Sequence, residues 1–198
     1  MEHRTLDELR AGLDHIRESP ADGGVIELIV ARPNLDQREI LEEATLDPEH
    51  GLVGDCWAVR GSSSTDDGRA NPLKQVNFMN TRAIGLIAGA KDRWPLAGDQ
   101  FYVDLDLGSE NLPPGTRLAL GTAVVEITDP WHKGCEKFVA RYGADALRFV
   151  RSPEGRELNL RGIHSTVVVA GIVRTGDAVR KLAPAPQSPA DARSETPA

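Results

Sequence analysis

Two cysteines in 198 residues, Cys56 and Cys135, are too few for a disulfide framework, so a reducing cytoplasm is the default setting. Aromatic residues make up only 5% of the chain. No hydrophobic run approaches the roughly 18 residues of a membrane span. Strand–GxGxxG–helix and P-loop patterns are absent, so a parallel nucleotide-binding sheet is a poor fit. Positive charge is in deficit, with 23 basic against 30 acidic residues and a net charge of −7. That argues against nucleic acid or anionic membrane as a general partner and leaves room only for a local basic patch. The acidic, polar opening from Met1 to Glu8 does not read as a secretory signal. What remains, 40% hydrophobic and 27% charged, is ordinary for a soluble domain with one sizeable core. The expectation is a cytoplasmic protein with a small-molecule ligand.

Taken in order, Leu6, Leu9, Leu13 and Ile16 recur at helical spacing. A helix capped at Thr5 and ending at Ser19-Pro20 follows, making residues 1–20 an amphipathic element packed on the main domain. Residues 25–31 and 39–46 read as strands of a hairpin. Residues 60–72 read as a mobile surface loop, and 75–79 as a strand leading through the cap Asn80-Thr81 into a helix. Phe101, Val103, Leu105 and Leu107 alternate with polar partners, a strand signature. Residues 117–120, 122–128 and 166–170 add strands. Ser152 to Gly155 reads as a turn. Gly54-Asp55, Gly98-Asp99 and Gly176-Asp177 punctuate the chain as turns. Many short strands between glycine turns predict a mainly β fold with peripheral helices, a β-barrel over residues 21–182. The Pro/Ala/Ser-rich residues 183–198 are expected to be a disordered tail.

The chemistry centres on Cys135. It follows the strand ending near Asp129-Pro130 and precedes a helical stripe of Phe138, Val139, Tyr142, Ala146, Leu147 and Val150, interrupted by Gly143. Unpaired N–H groups at a helix start favour negative charge, and Lys133, Lys137 and His132 add to it. The position suits an electron-rich sulfur able to act as nucleophile, sulfur carrier or soft-metal ligand, but free cysteine is also a common core residue. Arg60, Arg69 and Lys74 either close over an anionic ligand or are solvated charges. Asp55 either orients a ligand or caps a turn.

An ordered set of motifs resembles the molybdenum cofactor sulfurase C-terminal (MOSC) family. It runs from Gly51-Leu52-Val53-Gly54-Asp55 through Gln75-Val76 and Gly108-Ser109-Glu110-Asn111-Leu112. It continues through Gly121, Pro130, Cys135-Glu136-Lys137, Arg161-Gly162 and Gly171 to Gly176-Asp177, covering roughly residues 23–182. The resemblance implies a MOSC-like β-barrel handling the molybdenum-bearing pterin cofactor, or sulfur destined for it. Cys135 would carry sulfur or ligate the metal, and Arg161, Glu110 and Asn111 match positions near the expected pocket. Two departures stand out: Cys56-Trp57 after Gly54-Asp55, and the inserted-looking Trp131-His132-Lys133-Gly134. The chain is also too short to contain the pyridoxal-phosphate desulfurase half of larger relatives.

Three readings follow. In the first, molybdopterin is bound with its phosphate on Arg161, Arg60, Arg69 and Lys74 and its pterin edge near Asn111. Asp55, Glu110 and His132 belong to the same site, and a sulfur donor or redox protein is the partner. The activity is then sulfur transfer, or oxotransfer that reduces N-hydroxylated compounds. In the second, the barrel binds a metabolite or partner without catalysis and Cys135 is structural. In the third, His50, Cys56, His132 and Cys135 hold zinc, although Cys-x₂-Cys spacing is missing. His3, His15 and His164 are expected at the surface or in local hydrogen bonds, with His164 bordering the pocket.

Overall fold

The computed structural model describes residues 3–183. The tail reading for residues 184–198 lies outside them. Eleven strands and six α-helices are described among these residues. The strands are β1 (Gly24–Ala31), β2 (Glu39–Leu41), β3 (Glu43–Asp47), β4 (Gly51–Leu52), β5 (Val76–Asn80), β6 (Phe101–Asp104), β7 (Arg117–Leu120), β8 (Ala123–Ile127), β9 (Ile163–Val169), β10 (Gly171–Arg174) and β11 (Ala178–Lys181). The helices are α1 (Leu6–Ala11), α2 (Leu13–Arg17), α3 (Trp57–Arg60), α4 (Thr81–Ala88), α5 (Glu136–Arg151) and α6 (Pro153–Glu157), with 3₁₀ turns at Pro72–Lys74 and Lys91–Ala97.

Seven strands close on themselves in the order β1-β6-β5-β9-β8-β7-β11, with β11 returning to pair with β1. Closure removes the bare sheet edges an open sheet would carry. The β5–β6 pair is parallel and the other pairs in the ring are antiparallel. A parallel neighbour needs a crossover, and α4 with the 3₁₀ turn after it supplies one. A three-stranded sheet, β10-β3-β4, stands beside the barrel.

The side-chain pattern explains the layers. Phe101 and Val103 of β6 belong to the barrel interior, where Phe101 stacks on Phe78 of β5 at 5.3 Å between ring centres. Tyr102, between them, points out into a second core built with Leu9, Ile16, Phe138, Tyr142 and Phe149 of the helices. A period of two on β6 therefore serves two cores. β5 is buried at all five positions because the helices cover its outer face. In β1 a bulge between Ile26 and Leu28 shifts the phase, so Ile26 and Ile29 both face inward while Leu28 and Val30 face the helices.

Several sequence expectations change in detail. The stretch 39–46 is two strands, because Glu42 turns the chain from the barrel edge to the small sheet. Leu105 and Leu107 continue the buried pattern after β6 ends, while the Asp106 amide donates to the carbonyl of Pro20. Ser152 caps a helix rather than ending one turn: its hydroxyl accepts from the Gly155 amide at 3.0 Å and Pro153 opens α6. The N-terminal helix has the expected Thr5 cap, reciprocated by Glu8, but divides at Gly12 into α1 and α2.

Asn80 ties these layers together. Its carbonyl oxygen caps α4 by accepting from the Ala83 amide at 2.9 Å. Its amide nitrogen donates to the Ser19 hydroxyl at 2.8 Å and to the Leu105 carbonyl at 2.7 Å. The side chain is buried, so Asn80→Ala loses a cap and strands two acceptors away from water. The expected cost is about 2–4 kcal/mol in urea unfolding. A loss below about 1 kcal/mol would show that these bonds are replaceable.

Candidate functional site

A cavity of about 430 Å³ opens where the β1–β2 loop, α3, the end of the Lys91–Ala97 turn, the segment before α5 and the start of β9 come together. Its wall is cationic. Arg32, Arg38, Arg60, Arg141 and Arg161 line it, with Lys74, Lys133 and Lys137. Asp36 is the carboxylate among the lining residues. On a protein of net charge −7 this is a concentrated positive field, suited to an anion.

Two of the arginines are fixed by glycine–aspartate turns. Gly54, with φ 89°, swings the chain so that Asp55 points inward. Asp55 receives Arg32 through Nε at 2.8 Å and through the second guanidinium nitrogen at 2.9 Å, and also accepts from the backbone amides of Arg32 and Trp57. Burial opposes the charge on Arg32, but its bonds to Asp55 outweigh that and raise its pKa. Gly98, with φ 91°, does the same for Asp99, which receives Arg161 at 2.7 Å. Arg161 also donates to the Ala97 carbonyl, and Arg32 reaches the Gly98 carbonyl, so both turns and both arginines form one network. The guanidinium of Arg161 lies 5.0 Å above the Phe138 ring.

Two imidazoles lie beside this network. The rings of His132 and His164 are in contact, with centres 4.5 Å apart and planes tilted by 35°. His164 is hydrogen-bonded through Nδ1 to Asn77 Oδ1 at 2.7 Å. Nδ1 of His132 stands 3.6 Å from Asp99 Oδ1, and neither atom has a closer hydrogen-bond partner among the described residues. Burial, reinforced by Arg161 and His164, holds the His132 pKa well below the usual histidine range. Burial, with Lys74 and Arg161, pushes His164 down to about 3. Both rings are therefore neutral at physiological pH. Burial raises the Asp99 pKa, against the pull of Arg161.

Cys135 sits at the cavity wall as the N-cap of α5, in extended backbone, with its thiol exposed. The loop before it is held from behind. Arg151 donates to the carbonyls of Lys133 at 2.8 Å and Gly134 at 3.2 Å. Gly134 has φ 67°, and a methyl group there would lie 2.9 Å from Leu147 Cδ1. Gly143, with φ 89°, breaks α5 where the sequence shows an interrupted stripe. On the β1–β2 loop, and lining the same cavity as Cys135, Asp36 bridges Lys137 at 2.9 Å and Arg141 at 2.9 Å.

The residues singled out in the sequence separate into three groups. Cys135, Arg161, Arg60, Lys74 and His132 line this cavity. Asp55 stands behind it, holding Arg32. Glu110, Asn111 and Arg69 lie outside the lining. Asn111 is committed to the scaffold, donating to the carbonyls of Ala21 and Asp106 and accepting from Lys181 at 2.7 Å. Arg69 pairs with Asp67 on the exposed 60–72 loop. The zinc grouping fails: among the described residues no three His, Cys, Asp or Glu side chains gather to hold a metal. His50 instead pairs with Asp47 in the turn between β3 and β4.

Arg32, Arg38, Arg141, Asn77 and Asp99 escaped the sequence reading. Arg32 follows an apolar strand and reads as its terminator, and Asp99 reads as turn punctuation. The available signal was the recurrence of Gly-Asp itself. An aspartate after a left-handed glycine is well placed to receive a buried cation.

No protein-family model matches the chain, and no curated protein matches it. Solved structures do. The YUAD protein from Bacillus subtilis superposes with a TM-score of 0.59 at 18% identity, covering 79% of this chain and 94% of that one. YiiM from Geobacillus stearothermophilus gives 0.56 at 12% identity over 81% of this chain and 75% of that one. YiiM from Escherichia coli gives 0.51 at 14% identity over 80% and 70%. At such identities the likeness is one of fold: a seven-stranded β-barrel with peripheral helices.

Proposed function

We propose that this chain is a MOSC-type protein that holds the molybdenum cofactor in the cationic cavity, with Cys135 as metal ligand or sulfur carrier. The observation that carries the reading is an exposed thiol on the wall of a cavity whose lining has eight cationic side chains and one carboxylate. The residues fit such a group on three counts. The volume, about 430 Å³, falls within the roughly 300–1,000 Å³ of small-molecule sites. Arg38, Arg60, Lys74 and Lys133 have no ion-pair partner among the described residues and are available to a phosphate. The thiol is a soft donor suited to molybdenum.

When bound, the group would supply a soft metal centre able to exchange sulfur or oxygen. The chain's own part is to bind, orient and shield. Arginine forks fix an anionic end. Trp131 and the neutral rings of His132 and His164 offer stacking and hydrogen bonding without adding charge. Cys135, on a loop braced by Arg151, meets the ligand at a fixed point. A purely structural Cys135 is disfavoured, because the residue is exposed where a packed cysteine would be buried.

The test is metal, pterin and persulfide analysis of protein made in a host that produces molybdopterin. Wild type is expected to carry molybdenum and pterin, or a persulfide on Cys135. Cys135→Ser should lose at least about tenfold of the bound metal or all of the persulfide. Identical molybdenum, pterin and persulfide content in the two proteins would sink the reading.

A further inference from the structure

The β1–β2 loop places one carboxylate inside the positive cavity. Asp36 has φ 60°, in the left-handed region that side chains seldom adopt. Its two oxygens are 2.9 and 3.0 Å from Lys137 Nζ, and one of them is 2.9 Å from Arg141. Lys137 holds its carboxyl below the usual aspartate range, with Arg141 and Arg38 adding to the pull. Arg38 lines the same wall, and its own charge is opposed by burial and then by Arg141 and Arg32. Two cations thus pair with one half-exposed acid, and a third, Arg38, held by the carbonyls of Pro95 and Gln37, adds its charge from the same wall. That is more positive charge than a single carboxylate neutralises.

We propose that Lys137, Arg141 and Arg38 form a phosphate subsite beside Cys135, that Asp36 fills it from within, and that an incoming phosphate displaces the carboxylate. A planar guanidinium fork and a lysine match a phosphate dianion better than they match one aspartate. Asp36 sits on a loop, where a carboxylate can swing away at the cost of two partly exposed ion pairs. The displacement couples occupancy to access: the phosphate that takes the subsite also moves a loop lining the same cavity as the thiol. The proposal deepens the reading of the cavity as an anion site and needs neither molybdenum nor pterin for its test.

Two measurements on the full chain decide it. The first is the dissociation constant for inorganic phosphate by calorimetry. The second is the rate of Cys135 alkylation by anionic iodoacetate relative to neutral iodoacetamide, followed by mass spectrometry against a neutral free-thiol standard. Asp36→Asn and Asp36→Gly both remove the charge, and both residues accept a positive φ, so the loop need not distort. Each should bind phosphate roughly threefold to tenfold tighter and raise the iodoacetate preference by a similar factor. Arg141→Gln and Lys137→Gln should lower both. Glu18→Gln changes the net charge equally outside the cavity and should leave both at the wild-type value. A pterin monophosphate binding at least tenfold tighter than inorganic phosphate assigns the subsite to a cofactor's phosphate, and equal binding assigns it to a free one. The proposal is overturned if both Asp36 variants match Glu18→Gln, or if wild type binds neither phosphate. Loss of molybdenum loading alone would refute the cofactor reading and leave this one standing.

Discussion

Asp55→Ala is expected to cost about 3–5 kcal/mol of folding stability, the usual loss when one half of a buried ion pair is removed. Asp55 is wholly buried, and Arg32 nearly so. The carboxylate takes two guanidinium bonds and two backbone amides, so its removal leaves the Arg32 guanidinium charged, in low dielectric, with the Gly98 carbonyl as its remaining hydrogen-bond partner among the described residues. The double variant Asp55→Ala with Arg32→Met should recover much of the loss, because it removes the stranded charge as well. Chemical denaturation of the single and double variants measures both effects. A single-variant cost below about 1 kcal/mol, or simple additivity in the double, would show that the pair does not anchor the cavity wall. Phosphate binding should fall in the single variant even below its unfolding midpoint, since Arg32 loses its orientation.

Acid should unfold the protein earlier than its carboxylates alone would. An unfolded histidine takes up a proton near pH 6.5, whereas His164 in the fold resists until about pH 3. The unfolded state therefore binds more protons between these values, and stability falls as pH drops through that window. The slope is about 1.4 kcal/mol per pH unit for each such histidine, giving about 5 kcal/mol for His164 by pH 3. His132, whose pKa is lowered too, adds to the slope. Above pH 6.5 neither contributes. Asp22, Asp36 and Asp47, with lowered pKa values, begin to cost stability only as pH nears their unfolded values around 4. Asp99, raised by burial, works in the opposite direction. From pH 6.5 to 4.5 the three lowered aspartates stay ionised, so a comparison that changes one histidine alone reads its share of the slope. Urea midpoints across this interval should decline in wild type and decline less steeply in His164→Gln, where His132 remains. A flat wild type, or equal slopes in the two proteins, contradicts neutral buried imidazoles.

The fold was legible because its information is local. Short β-branched runs between glycine turns announce a barrel, and Phe101, Tyr102 and Val103 alternate as a two-faced strand must. The strand-to-helix setting of Cys135 was equally plain. The lining was less so, because its pairs are distant in sequence. Arg161 meets Asp99 across 62 residues, Asp36 meets Arg141 across 105, and His164 meets Asn77 across 87. Nothing in the neighbourhood of Asp36 marks it as facing α5. Glu110 and Asn111 illustrate the converse: a motif with a functional look whose amide serves the turn that carries it. The inserted-looking Trp131 to Gly134 read as a departure from pattern, yet all four residues line the cavity.

The barrel seam has a consequence for how the protein is made. Gly24 and Val25 pair with Val179 and Ala178, so the first barrel strand waits for the last. During synthesis, the start of β1 waits for its β11 partner while about 150 residues are added and β7 waits while about 60 are, intervals in which their open edges can pair with a neighbouring nascent chain. The ring cannot shut until Ala178–Lys181 has been made. A stall or frameshift ahead of Ala178 would therefore yield a sticky open sheet in place of a shortened but working protein.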